Sequence, residues 1–241
     1  MISTLLVIIA FLTSFISGVI GMGGGTILLA AMILSGLVVE HIVPLHGIVQ
    51  LCSNGSRIVF LYREVNTKIS LYFLCGIPLG GYVGYLLLQK IDNPSYLLLG
   101  MGALLLYVAL KPKKLPDLQL PDIGFFFLGV VAAAVGCLVG ITGPLVAPFF
   151  VRSDWDKKTI IATMGACQTG VHFIKIPVFI SIAFPYSEYL WVSIFMIIAA
   201  VLGSRVGVYV LTTMYKERFF IIVRIAMLLI AIRVLYKFFV L

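Results

Sequence analysis

No charged residue occurs between Met1 and Val39, and long, nearly charge-free apolar runs recur along the rest of the chain. Crossing a bilayer takes about 20 apolar residues, so 241 residues allow roughly six to ten such segments and leave no room for a separate soluble domain. The chain is 62% apolar and 11% charged, where soluble domains run about 45–50% and about 25%. Lipid is therefore the expected solvent, and nucleic-acid-binding and disordered-tail classes are excluded. A net charge of +8 then reads as Lys and Arg retained on the cytoplasmic side of a membrane. The N-terminus lacks the basic region and cleavage pattern of a secretory signal, so it is expected to belong to the mature protein.

Glycine interrupts two of the apolar segments. The first interruption is Gly18 to Gly25, after a helix of about 18 residues; the second is Gly140-Ile141-Thr142-Gly143-Pro144, inside the segment from 123 to 151. Other segments are expected at 43–62, 69–89, 95–110, 159–183, 189–214 and 219–240. Shifting the chain by 119 residues lays Gly21 on Gly140 and Gly24 on Gly143. A shift of 118 lays Gly47 on Gly165, Gln50 on Gln168, Asn54 on His172 and Arg57 on Lys175, and a shift of 123 pairs Gly80 and Gly84 with Gly203 and Gly207. Such self-similarity is an internal repeat: two halves, 1–114 and 115–241, joined by the polar stretch around Lys111 to Asp117.

Basic residues decide how the halves are oriented. If each interrupted segment crosses once, Arg63, Lys68, Lys111, Lys113, Lys114 and Lys237 oppose Lys90, Arg152, Lys157, Lys158, Lys216 and Arg218, with no bias. If each returns to the side it came from, all but Lys90 and Lys237 of these share one side, as the positive-inside rule requires. Each half then crosses three times. The fold expected is an all-α membrane protein of two inverted repeats, each with a broken, re-entrant helix and three transmembrane helices, with both termini and the His41 loop periplasmic.

Inverted repeats with broken helices place a substrate at mid-membrane, between the breaks. The N–H groups that open each second half-helix face an anion favourably, which selects Gly21, Gly23, Gly24, Gly25, Gly140, Thr142 and Gly143 as candidate site residues. Pro144 suits a helix start, where its missing N–H would be unpaired anyway. Gly80, Gly84, Gly203 and Gly207 are small-residue pairs expected to pack helices closely.

All nine carboxylates sit in loops or at segment ends, whereas cation carriers and proton relays usually keep one inside the membrane. Arg57, Lys175 and Arg205 instead interrupt apolar runs, at about 2.5–3.5 kcal/mol each near the bilayer centre. The cargo is expected to be an anion. Arg57 and Lys175, as repeat equivalents, are read as paired basic vestibule residues; Arg57 and Arg205 either line the path or snorkel to the interface. Gln50 and Gln168 offer amide donors near mid-segment, with Asn54 and His172 one turn later on the same face. Cys52, Cys75, Cys137 and Cys167 lie in apolar segments with no metal-ligand spacing, so neither a metal nor another cofactor is expected.

The paired glycine breaks, the G-x-x-Q at Gly47 and Gly165, and the L-G-x-x-x-G at Leu79 and Leu202 together resemble the TauE/SafE family of sulfite exporters over nearly the whole chain. The second break departs from the glycine-rich form, with Thr142 and Pro144 where the first has Gly23 and Gly25. The resemblance implies secondary transport of small sulfur-containing anions, such as sulfite, thiosulfate or organosulfonates like sulfoacetate, across the bacterial inner membrane, with export by alternating access as the leading expectation. Uptake of a related anion and an anion channel are the alternatives, and a homodimer is a candidate assembly. An enzyme is not expected, since His41, His46 and His172 have no acidic neighbour in the membrane to complete a catalytic set.

Overall fold

The computed structural model of the chain describes residues 2–20, 23–110, 118–210, and the short pieces 228–229, 231–233 and 235–236. Among the described residues the architecture is all helical. The first half holds α1 (Ile2–Ile20), α2 (Gly24–Leu34), α3 (Val39–Leu61), α4 (Thr67–Leu88) and α5 (Ser95–Leu110). The second holds α6 (Asp122–Val139), α7 (Gly143–Phe150), α8 (Lys157–Ser181) and α9 (Leu190–Val210). Both expected interruptions occur, between α1 and α2 and between α6 and α7. Most of the segment expected at 219–240, and the linker 111–117, lie outside the described residues.

Helix boundaries follow local chemistry. Asn66 Oδ1 accepts the Ile69 N–H at 3.1 Å to cap α4, and Asp156 Oδ1 accepts the Thr159 N–H at 2.7 Å to cap α8. Hydrogen bonds from Thr159, from its hydroxyl first and its backbone N–H second, hold the Asp156 carboxyl below its ordinary range, as the guanidinium of Arg152 does for Asp154. α3 begins four residues before the apolar run starts, because Glu40 sits favourably on the N-terminal end of the helix dipole.

Among the described residues, three helices are long and apolar enough to cross a membrane: Thr67–Leu88, Asp122–Val139 and Tyr186–Val210, the last including the 3-10 turn that leads into α9. Their outward faces carry exposed apolar stripes, among them Leu71, Leu79 and Tyr82 on α4 and Trp191, Phe195, Ile198 and Leu202 on α9. Rows of large apolar side chains at helical spacing on an outer surface are what lipid solvates and water does not. At 11 and 8 residues, α2 and α7 extend only about 16 and 12 Å, short of the roughly 30 Å hydrocarbon layer.

Two helix pairs pack backbone to backbone, α1 against α9 and α4 against α6, while α3 and α8 pack on each other between them. Glycine makes both close approaches. A Cβ on Gly80 would stand 2.1 Å from the Val130 carbonyl oxygen, and one on Gly203 would stand 2.2 Å from that of Phe11. Val130 follows Phe11 by 119 positions and Gly203 follows Gly80 by 123, the same offsets at which the sequence aligns with itself. A Cβ on Gly207 would stand 2.2 Å from the Phe15 carbonyl oxygen, and one on Gly84 would stand 2.8 Å from the Cys137 Cβ and 3.2 Å from the Ala134 carbonyl oxygen. The small-residue packing expected for these four glycines is therefore present.

Contacts at the two ends of the bundle sort the loops. At one end Lys68 pairs with Asp122 at 2.5 Å, and the Asn66 N–H donates to Thr163 Oγ1 at 3.0 Å. At the other, His41 Nδ1 hydrogen-bonds the Tyr189 hydroxyl at 2.6 Å beside the Phe184 ring. The starts of α4, α6 and α8 thus lie together, and the start of α3 lies with the loop before α9.

Candidate functional site

α3 and α8 carry the larger polar side chains of the interior, and they face each other. On α3 the row is His46, Gln50, Asn54 and Arg57; on α8 it is Met164, Gln168, His172 and Lys175. Steps of four, four and three residues keep each row on one helix face. All eight are buried. Seven of them, all but Lys175, line one cavity closed by Gly23, Gly25 and Thr26 of the first break and by Ile141, Thr142, Gly143 and Pro144 of the second. About 40 Å³ of it is open to the centre of a water molecule. One water needs about 10–15 Å³ on this measure, so the space suits a few waters or one compact ion.

The breaks are built for a wall. Gly23 takes φ +95° as it leads into α2, a left-handed conformation natural to glycine, and a Cβ there would meet nothing within 4 Å. Gly143 also opens on free space. The first-turn N–H groups of α2 and α7 have no preceding helical carbonyl to bond, so both half-helices begin with their positive ends at the cavity.

Among the side chains lining this space, the amide nitrogens Nε2 of Gln50 and Gln168 are buried with no hydrogen-bond partner in the protein. Gln168 is oriented by Thr142 Oγ1, which donates to its Oε1 at 3.2 Å. A Cβ on Gly25 would touch the Gln50 amide at 3.2 Å, so glycine at that position leaves the amide its place. An unpartnered buried N–H is costly by about 1–3 kcal/mol, and such groups recur in binding sites because a ligand completes them. No carboxylate lines the cavity among the described residues.

The cations are anchored at the ends of the broken helices. Arg57 donates through Nη1 to the Ser17 carbonyl at 3.3 Å and through Nη2 to Asn54 Oδ1, bracing the last turns of α1. Lys175 Nζ donates to the Gly140 carbonyl at 2.6 Å, at the end of α6, and contacts His172 Nδ1 at 3.1 Å. Arg57 thus satisfies a carbonyl in the last turn of α1 and Lys175 one just past the end of α6, where positive charge is favoured. Arg57 is buried beside the cavity rather than reaching to an interface, whereas Arg205 is exposed. Lys175 is fully enclosed behind His172 and opens on no vestibule.

Of the candidate residues from the sequence, Gly23, Gly25, Gln50, Asn54, Arg57, Thr142, Gly143, Gln168 and His172 line the cavity. Gly24 instead packs against the Thr13 carbonyl, and Gly140 turns the end of α6 at φ +85° and receives Lys175. Gly21 lies outside the described residues. Sequence reasoning passed over His46 and Met164 as lining residues, although they stand 118 positions apart and one helical turn before the two glutamines. His46 Nε2 donates to the Gly25 carbonyl at 2.8 Å, and its ring meets that of His172 edge to face at 5.6 Å.

With this geometry in place, a family model described as Sulfite exporter TauE/SafE matches residues 6–234. No curated protein and no solved structure matches the chain.

Proposed function

We propose, from the premise that this chain belongs to the TauE/SafE sulfite exporter family, that it exports a small sulfur-containing anion such as sulfite or thiosulfate across the bacterial inner membrane. TauE/SafE is a family of transporters, and transport across a membrane is the activity its members share. The observation that carries the anion reading is the pair of unpartnered Gln50 and Gln168 amide donors in a cavity that, among the described residues, has Arg57 on its wall and no acid. Sulfur oxyanions present only acceptors, and two amide N–H groups plus two half-helix N-termini present donors.

The mechanism is alternating access of two halves, 1–114 and 115–241, inverted with respect to each other. Three features support it. The glycine contacts of α4 on α6 and α9 on α1 are alike at repeat-equivalent positions. α2 and α7 are too short to complete a crossing. The Asn66 to Thr163 bond brings the starts of α4 and α8 to one end, which agrees with re-entrant breaks and disagrees with single crossings. Arg63, Lys68, Arg152, Lys157 and Lys158 then share the cytoplasmic side, and both termini lie in the periplasm.

A thermal-shift panel on detergent-purified protein tests the substrate class. Sulfite, thiosulfate and sulfoacetate are expected to stabilise the protein, by about 2.7 kcal/mol at a hundred times Kd, while acetate at equal concentration leaves it nearly unchanged. A panel in which no sulfur oxyanion stabilises the protein refutes the anion site.

A further inference from the structure

Lys175 and His172 form a hydrogen-bonded pair of bases in the interior, with no carboxylate among the described residues to balance them. Nζ and Nδ1 are 3.1 Å apart, and Nζ also donates to the Gly140 carbonyl at 2.6 Å. The groups within electrostatic reach of the pair are His46 and Arg57 from α3 and Cys137 from α6; Cys137 in turn lies within reach of Tyr186, before α9. The faces of α4 and α7 that pack on α8 bring no charged group to it among the described residues. Lys175 is fully enclosed, while His172 lines the anion cavity.

Two positive charges 3 Å apart in a dry interior repel strongly, so the pair holds at most one excess proton. Both of these Nζ contacts persist either way. With Lys175 neutral, its amine donates to Gly140 O and accepts from His172 Nδ1–H. When a proton arrives from cavity water at His172 Nε2, the Nδ1–H proton passes to Nζ. An Nδ1–H bond breaks, an N–H bond on Nζ forms, and the ring is left as its Nε2–H tautomer while the ammonium donates to both partners. No atom has to move beyond the proton, and the 3.1 Å contact serves both states.

We propose that the Lys175–His172 pair is a proton-binding site coupled to the anion cavity, taking up one proton when an anion binds and releasing it when the anion leaves. The inference rests on the anion reading above. Arg57 already places one positive charge at the cavity, so an empty cavity disfavours a second, and the arriving anion reverses that balance. By linkage the anion must bind more tightly when the pair is protonated, and the proton more tightly when the anion is present. A dianion carried this way moves across the membrane with its charge reduced by one.

The test is proton uptake on anion binding in weakly buffered detergent solution, read with a pH indicator. Thiosulfate is the probe, because it stays unprotonated near neutrality and any proton taken up belongs to the protein. Wild type is expected to take up about one proton per thiosulfate bound, at a pH within roughly 6 to 9, with binding followed in parallel by thermal shift. Lys175→Met/His172→Gln is expected to lose that uptake, and each single variant to move its pH midpoint by about one unit or more. Thiosulfate binding to wild type without proton uptake anywhere in that range overturns the proton site and leaves the anion site standing. Unchanged uptake in a folded double variant also overturns it. Failure of thiosulfate and every other sulfur oxyanion to bind overturns the anion reading, and the proton site with it.

Discussion

Gln50→Leu is expected to abolish most anion binding and transport while leaving the protein as stable as before or slightly more so. The Gln50 Nε2 has no partner within the protein, so removing it breaks no internal hydrogen bond, and an apolar side chain of similar size relieves a buried donor of its desolvation cost. Binding loses a hydrogen bond to a charged ligand, about 1.5–3 kcal/mol, or roughly 10- to 150-fold in Kd. Gln168→Leu is expected to weaken binding comparably but with some loss of stability, because it strands the Thr142 hydroxyl that now donates to Gln168 Oε1. The double variant should fall by about the product, 10²–10⁴-fold, if the two amides act independently. Purified variants with melting temperature and thiosulfate affinity measured on the same sample check this. A Gln50→Leu protein that melts much earlier, or that binds as tightly as wild type, contradicts the assignment of this amide to the substrate.

The opposite pattern is expected at the glycine seams. Gly203→Ala places a methyl 2.2 Å from the Phe11 carbonyl oxygen, and Gly80→Ala places one 2.1 Å from that of Val130. Neither neighbour can yield as a flexible side chain would, since both are backbone atoms of a packed helix. Overpacking by a single carbon commonly costs about 1–3 kcal/mol, and these clashes with rigid backbone belong at or above the upper end. Gly203→Leu and Gly80→Leu should fail to accumulate as folded protein. Gly55→Ala is the control: its Cβ would meet only Thr169 Cγ2 at 4.0 Å, and replacing a mid-helix glycine without a clash gains about 0.5–1 kcal/mol. Melting temperatures of the alanine series in one detergent check the ranking. Equal behaviour at positions 55, 80 and 203 contradicts the close helix approach.

Much of this arrangement is legible in the sequence because membrane solvation leaves few ambiguities. Charge-free runs mark the segments, and repeat offsets pair Gln50 with Gln168 and Gly80 with Gly203 before any coordinates are known. The candidate residues that come together do so because a four-residue spacing on α3 and α8 keeps them on one face. Three features could not be read. The enclosure of Lys175 depends on where the end of α6 falls relative to α8, a tertiary fact that a charge in an apolar run does not encode. Gly24 and Gly23 are neighbours in a glycine run, yet one packs on the Thr13 carbonyl and the other opens on the cavity; only the turn geometry separates them. His46 gives no signal by itself, since a histidine beside Pro44 near a helix start is as compatible with a loop as with a site.

The arrangement also bears on the driving force. A dianion that leaves with one proton still carries a net negative charge outward, and a potential of about 100 mV, negative inside, contributes about 2.3 kcal/mol per charge moved. That corresponds to roughly a 50-fold outward gradient at equilibrium without any intramembrane carboxylate. On the proposed mechanism, the Arg57 charge, fixed against Ser17 and Asn54, would hold the anion's place, while the Lys175–His172 pair would adjust to whether the place is filled.

The most direct measurement of the central claim is efflux of radiolabelled thiosulfate from liposomes containing the purified protein, with a potassium diffusion potential imposed across the bilayer. An interior-negative potential should accelerate efflux through wild-type protein, and Gln50→Leu/Gln168→Leu should reduce it to the level of protein-free liposomes. Efflux that is no faster than from protein-free liposomes, or that does not respond to the imposed potential, contradicts the account.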